Sequence, residues 1–112
     1  MIHARTTVYL NTAHESFFGF DHTAQLRLAA TFDLAMTDIT GAAITTSGAL
    51  EHIFNQLNIP DPTAFWALKY RLSGHRSLSV GDVVVLGKTA FAVAGAGWDR
   101  ITTDQLTAAL AR

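Results

Sequence analysis

Residues 83–94 read VVVLGKTAFAVA, and this segment carries the clearest signal of the architecture. Val83–Leu86 is apolar on both sides, which is typical of a strand in the middle of a sheet. A two-residue Gly-Lys turn follows, and Thr89–Ala94 returns as the second strand of a hairpin. A Gly-Asp pair before the first strand indicates another turn. We therefore predict a β-hairpin at the centre of an antiparallel sheet.

Two helices accompany the hairpin. The first is predicted over Ser47–Leu57, with Ser47 as the N-cap, because apolar residues recur there at helical spacing. These residues, which we expect to face the sheet, are Leu50, Ile53, Phe54 and Leu57. The second helix is predicted over Thr103–Ala111, where Thr102 and Gln105 form a capping box. Each helix has one apolar stripe that needs a sheet face to cover it.

Two further strands are predicted before the first helix. Thr7–Leu10 is rich in β-forming residues, and Gln25–Ala35 alternates with period two and is long enough to carry a bend. The residues expected on one face of the longer strand are Leu26, Leu28, Ala30, Phe32 and Leu34. Ala42–Thr46 is a candidate for another short strand. The predicted fold class is α+β: a mostly antiparallel sheet packed on one face by two helices, in a single domain over residues 1–112.

Residues 62–73 allow two interpretations. Asp61 and Pro62 look like an N-cap followed by a first-position proline, so that Pro62–Ala67 would start a short helix. Alternate residues from Trp66 to Leu72 are apolar, however, and this pattern suits a strand. We expect a short helical turn that passes into an extended segment.

Composition narrows the classes of protein. The chain has 112 residues, no cysteine and only 15% charged residues, against about 25% in an average globular protein. The absence of cysteine excludes disulfides and thiolate chemistry and favours a cytoplasmic location. No apolar run reaches the roughly 20 residues of a membrane span, so we expect no membrane contact. The low charge suggests that a protein partner or a homodimer covers apolar surface.

Charge is uneven along the chain, although the net charge is only −1. Residues 61–112 hold six basic and four acidic residues, against two and five in residues 1–60. Lys69, Arg71 and Arg76 lie close together, and with Trp98 they could clamp and stack a single nucleic-acid strand. A net charge near zero argues against binding by electrostatics alone, so nucleic-acid binding is kept as an alternative. The other interpretation of Trp98 is a core side chain.

Residues 75–82 contain the residue types of an acyl-transfer triad, namely His75, Ser77, Ser79 and Asp82. Steps of two residues in an extended segment cover about 7 Å, so we do not expect these side chains to converge. We expect the hydroxyls and the Asp82 carboxylate to bond backbone amides around a turn, and we keep a hydrolase as a second alternative. The five histidines form no His-x-x-x-His pair and the glycines form no phosphate-binding pattern, so no metal or cofactor is predicted.

Three segments carry a family likeness. Leu50–Asn58 is followed by Gly74–Val84, which contains Ser-Leu-Ser-Val-Gly-Asp-Val-Val, and then by a hairpin that ends in Gly97-Trp98. Together, over about residues 47–101, they resemble the YodL-like domains of proteins encoded on conjugative elements and phages. Thr63–Leu72, between the helix and the block, makes that interval longer than the pattern expects. The resemblance implies a mobile-element setting and a counter-defence role, and it supplies no catalytic residues.

These observations favour a non-enzymatic module that binds a protein partner in counter-defence or regulation. The candidate binding residues are Lys69, Arg71, His75, Arg76, Ser77, Ser79, Asp82 and Trp98. The Phe17-Phe18-Gly19-Phe20 loop is a candidate for further contact with a partner or a second copy, since exposed apolar patches usually mark contacts.

Overall fold

A computed structural model of the chain describes residues 2–13, 19–38 and 40–112, which form five strands and three helices. The strands are β1 (His3–Asn11), β2 (Leu26–Ala35), β3 (Val83–Leu86), β4 (Thr89–Val93) and β5 (Trp98–Ile101). The helices are α1 (Thr46–Asn58), α2 (Phe65–Leu72) and α3 (Thr103–Ala111). Neighbouring strands all run antiparallel, in the order β2-β1-β3-β4-β5. The predicted α+β class with an antiparallel sheet is confirmed.

The predicted hairpin is formed by β3 and β4. Val83 pairs with Ala92, and Leu86 pairs with Thr89 across the turn. Gly87 adopts a φ of 65° in this turn, a conformation that glycine reaches without strain. β3 lies between β1 and β4, and its first two side chains are fully buried on opposite faces of the sheet. The prediction of a central strand is therefore confirmed.

The helices cover both faces of the sheet. α1 and α2 pack on the face that carries Val84, which we call the first face. α3 packs on the second face, where Ala109 joins the core around Val83. The expectation that the helices predicted over 47–57 and 103–111 share one face is therefore wrong, although the class is right. The reason is that β3 is apolar on both sides, so each face of the sheet needs a cover.

A β-bulge in β2 divides its apolar side chains between the two faces. Residues 8 and 9 of β1 pair with residues 30 and 28 of β2, so Ala29 is an extra residue. An extra residue shifts the alternation by one position and sends later side chains to the opposite face. Leu34 therefore joins the first-face core, whereas Leu26 joins the second-face core. The expectation of one continuous apolar face over 26–34 is wrong at this point.

Helix α1 contains the predicted helix but begins earlier. The N-cap is Thr45, whose Oγ1 accepts a hydrogen bond of 2.9 Å from the amide of Gly48, so the assignment of Ser47 as the cap is wrong. Phe54 is only half-buried and packs at the margin of the core. The stripe residues that are fully buried against the first face are Leu50, Ile53 and Leu57.

Residues 65–72 form helix α2, so the expected extended segment is wrong. The helix begins after Ala64, three residues later than the cap predicted at Asp61. Its approach is fixed by the buried Gln56 of α1, whose Oε1 accepts hydrogen bonds of 2.9 Å from the amides of Thr63 and Ala64. A side-chain anchor supplied by another helix is a tertiary contact, and local sequence patterns do not reveal it.

The remaining expectations have mixed outcomes. Residues 42–46 form no strand, since Ala43 makes only an isolated bridge to Thr37 and α1 starts at Thr46. The capping box of α3 is confirmed by reciprocal bonds of 2.8 and 3.1 Å between Thr102 and Gln105. Phe17 and Phe18 lie outside the described residues. Among the helices described here, none is both long and apolar enough to cross a membrane.

The depth of the α1 stripe can be tested by truncation. Ile53→Ala should lower the free energy of unfolding by about 2–5 kcal/mol, because the side chain is fully buried. Phe54→Ala should cost less, because that side chain is only partly buried at the margin of the core. Asn55→Ala, on the exposed side of the same helix, should change stability by less than about 0.5 kcal/mol. Urea unfolding measures all three, and equal losses for Ile53 and Asn55 would contradict the packing.

Candidate functional site

The Asp82 carboxylate is fully buried and lies where residues 76–82 meet the end of β1. Its Oδ1 accepts hydrogen bonds from the amide of Asn11 (2.7 Å) and from Nη2 of Arg76 (2.8 Å). Its Oδ2 accepts from the amide of Ser79 (2.8 Å) and from Nη1 of Arg76 (2.6 Å). The bonds to backbone amides expected from the sequence are present, and the paired guanidinium adds the charge that a buried carboxylate needs.

The Arg76 guanidinium is committed to the same network. It also donates to the carbonyl oxygens of Asn11 (3.1 Å) and Ser77 (3.0 Å) and to Oγ of Ser79 (3.3 Å). Its hydrogen bond with the Asp82 carboxylate raises the pKa of Arg76 above its ordinary value. The cation therefore ties residues 76–82 to β1, although part of its side chain remains exposed.

The other residues of the types found in an acyl-transfer triad do not assemble, as expected from their spacing. Ser77 and Ser79 are exposed, and within the described part of the chain neither hydroxyl is hydrogen-bonded to His75. The His75 ring lies against Tyr70, with ring centroids 5.0 Å apart. The Tyr70 hydroxyl donates a bond of 2.6 Å to the carbonyl oxygen of Arg76. This arrangement holds the chain in place and offers no paired nucleophile and base.

The basic group predicted from the sequence is divided. Arg71 donates to the carbonyl oxygens of Leu57 (3.3 Å) and Pro60 (3.2 Å), at the end of α1. Arg76 is held by Asp82, as described above. Lys69 is exposed on α2, and its ammonium makes no hydrogen bond to the residues that the structure describes. The three residues therefore do not present three free cations to a ligand.

Trp98 lies at the margin of the first-face core. Its Nε1 donates to Oε1 of Glu51 at 3.2 Å, and its ring meets Phe54 edge to face at a centroid distance of 6.2 Å. The side chain is half-buried. This geometry fits a residue that closes the core beside α1. A binding role for the candidate residues, Trp98 included, stays a prediction.

Among the residues that the structure describes, the most exposed large apolar side chains lie on α2, and the sequence pattern did not single them out. Phe65 is 81% exposed, Leu68 is 45% exposed and Leu72 is 79% exposed. At helical spacing these three residues and Lys69 project on the side opposite the buried Ala67 and Tyr70. We call Phe65, Leu68, Lys69 and Leu72 the α2 outer face. The i, i+3, i+7 spacing of Phe65, Leu68 and Leu72 indicates such a helix face in the sequence. The alternation of apolar residues over 66–72 favours a strand instead, so the helix face was not recognised.

A cleft of about 500 Å³ adjoins α2 on the first face. Its walls come from the end of β2, the segment after it, α1 and α2, and include Leu34, Ile44, His52 and Trp66. The Trp66 ring stacks on the Phe32 ring, with ring centroids 4.4 Å apart. The Asp38 carboxylate at the rim accepts bonds from Thr40 and from the amide of Ala42, which lower the pKa of Asp38. Because most of the remaining lining is apolar, the cleft suits an apolar side chain better than a polar ligand.

No three metal-ligating side chains converge within residues 2–13, 19–38 and 40–112. Comparison of the chain with protein-family models, with curated proteins and with solved structures finds no match. The resemblance to YodL-like domains therefore stays a prediction that rests on the segments quoted above.

Removing the Asp82 carboxylate should damage the fold. We expect Asp82→Ala to lower the free energy of unfolding by about 2–4 kcal/mol, since two amides and a guanidinium lose their acceptor. Asp99→Ala, which removes an exposed carboxylate from β5, should change stability by less than about 0.5 kcal/mol. Denaturant unfolding compares the two variants. A stable Asp82→Ala protein would show that the network is not structural.

The buried phenol of Tyr70 should make the protein less stable at alkaline pH. Burial, helped by the negative charge of Asp82, raises the pKa of Tyr70 from 10.0 to about 12. Folding keeps the phenol neutral, so its contribution to stability is complete below about pH 10 and is lost as the pH rises toward 12. Between pH 10 and 12, the free energy of unfolding should therefore decrease less for the Tyr70→Phe variant than for the unchanged protein. Urea unfolding at several pH values tests this, and parallel curves would contradict it.

Proposed function

We propose that this chain is a non-enzymatic binding module that acts through protein–protein contact, with the α2 outer face as its contact surface. The observation that carries this proposal is the exposure of three large apolar side chains on one side of a single helix. Burying such a side chain contributes about 1.5–3 kcal/mol, and exposed apolar patches usually mark contacts.

Two further observations support a binding role over the alternatives. The serine and histidine side chains of residues 75–79 lack the pairing that a hydrolase needs. Two of the three clustered cations, Arg71 and Arg76, are bonded to the chain itself, which weakens the case for a nucleic-acid clamp. The resemblance to YodL-like domains would place the contact in a mobile-element or phage setting, in counter-defence or regulation. The absence of cysteine fits a cytoplasmic site of action.

Site-specific photo-crosslinking can test the contact surface. A photoreactive phenylalanine analogue at position 65 should form an adduct with a partner protein in extract of the cells that produce this chain. The same analogue at position 28 is the matched control, because Leu28 is 63% exposed but shares the second face of the sheet with Leu26, opposite the face on which α2 packs. Leu72→Ser should abolish the adduct at position 65 without lowering the melting temperature, since the side chain is exposed.

Mass spectrometry of the adduct separates the outcomes. A different protein attached only to the position 65 probe agrees with the proposal. Equal adducts from positions 28 and 65, or an adduct that survives Leu72→Ser, would contradict the assignment of the α2 outer face.

A further inference from the structure

We propose that the α2 outer face binds an amphipathic helix whose apolar stripe is flanked by acidic residues, an inference that rests on the proposed contact surface. The inference follows from the hydrogen bonding, the shape and the charge of this surface.

Hydrogen bonding favours a helical partner. The backbone of α2 is bonded within the helix, so the α2 outer face offers side chains only. An extended peptide laid on Phe65 and Leu72 would leave its own amides and carbonyls against apolar side chains, and unpaired polar groups are costly to bury. A helix satisfies its own backbone and presents side chains alone.

The shape of the surface agrees with this partner. Phe65, Leu68 and Leu72 form a ridge at the i, i+3, i+7 spacing that fits the groove of a second helix. The eight residues of α2 extend about 12 Å. Trp66, which follows Phe65 in the helix, lines the largely apolar cleft of about 500 Å³ beside α2.

The charge of the surface selects an acidic partner. Helix α2 contains Lys69 and Arg71 and no acidic residue. Asp61 is the one acidic residue among residues 59–72, which also hold Lys69 and Arg71, and the charge of Arg76 is already paired with Asp82. Lys69 lies on the α2 outer face itself and is exposed. Acidic side chains beside the partner's stripe would meet this positive potential, and complementary charge selects partners and speeds their encounter.

Two other occupants fit less well. A second copy would place Lys69 and Arg71 of one helix beside the same two cations of the other, with no acidic residue in either helix. A membrane surface would gain only about 1 kcal/mol from the exposed Lys69, whereas stable electrostatic attachment uses clusters of about four to eight basic residues.

The experiment uses two synthetic peptides with helices stabilised by side-chain staples. Both carry the same leucine stripe at positions i, i+3, i+4 and i+7, and the flanking positions are glutamate in one and lysine in the other. Binding is measured by fluorescence anisotropy at low and moderate salt. We expect the glutamate peptide to bind about threefold to fivefold more tightly at low salt, with a smaller ratio at moderate salt.

Variants assign the effect to the α2 outer face. Lys69→Glu should remove or reverse the preference, whereas Lys88→Glu, an exposed lysine in the β3–β4 turn, should leave it unchanged. Leu72→Ser should weaken both peptides about tenfold or more. These side chains are exposed, so the variants should keep the melting temperature of the unchanged protein.

Each contrary result has a defined meaning. Equal affinity for both peptides, lost in Leu72→Ser, would overturn the acidic partner and leave the contact surface standing. No binding of either peptide would overturn the helical partner, and the crosslinking result at position 65 would then decide the proposed function independently. A concentration-dependent dimer in sedimentation, or binding to phosphatidylserine vesicles, would replace the acidic helix with a second copy or a membrane if Leu72→Ser abolished it.

Discussion

The Asp82 carboxylate must be matched by donors, because a buried negative charge without partners would destabilise the fold by several kcal/mol. Four donors from three parts of the chain meet it: the end of β1, the 79–82 turn and the Arg76 side chain. The network fixes the irregular segment that connects α2 to β3. Because β3 follows Asp82 directly, the same bonds set where the central strand enters the sheet.

The network also accounts for the positions of His75 and Asp82, two of the residue types that an acyl-transfer triad uses. His75 lies on Tyr70, which bonds the backbone of Arg76, and Arg76 in turn holds Asp82. Successive hydrogen bonds thus link Tyr70 to Arg76 and Arg76 to Asp82, and each bond helps to hold the next residue in position. A short run of histidine, serine and aspartate in a connecting segment therefore indicates a fixed turn as readily as a reaction centre.

The sequence predicted elements whose signals are local. The hairpin, the capping box at Thr102 and the stripe of α1 depend on neighbouring residues, and all three are present. A short helix starting near residue 62 could be predicted, but the start and extent of α2 could not, because its approach depends on Gln56, a contact from another helix. The face change in β2 was missed because one extra residue, Ala29, leaves no mark in the alternation of side chains.

The candidate site shows the same division. The backbone bonds of Asp82 could be predicted, since a carboxylate at a turn has few other partners. The α2 outer face could not, because its exposure depends on which side of α2 the sheet covers. That side was decided by Ala67 and Tyr70, which enter the core. Composition gave only the general expectation that some apolar surface requires a partner.

The attachment of α2 to α1 has a consequence for the thermodynamics of association. Gln56 holds the residues before α2, and Arg71 bonds the end of α1, so the shorter helix is fixed at both ends. Eight residues alone would be mostly unfolded in water. Here the conformational entropy of ordering them is lost during folding and not during binding. The surface is thus preorganised, and a complex formed through the proposed contact surface should show no heat-capacity signature of folding in α2.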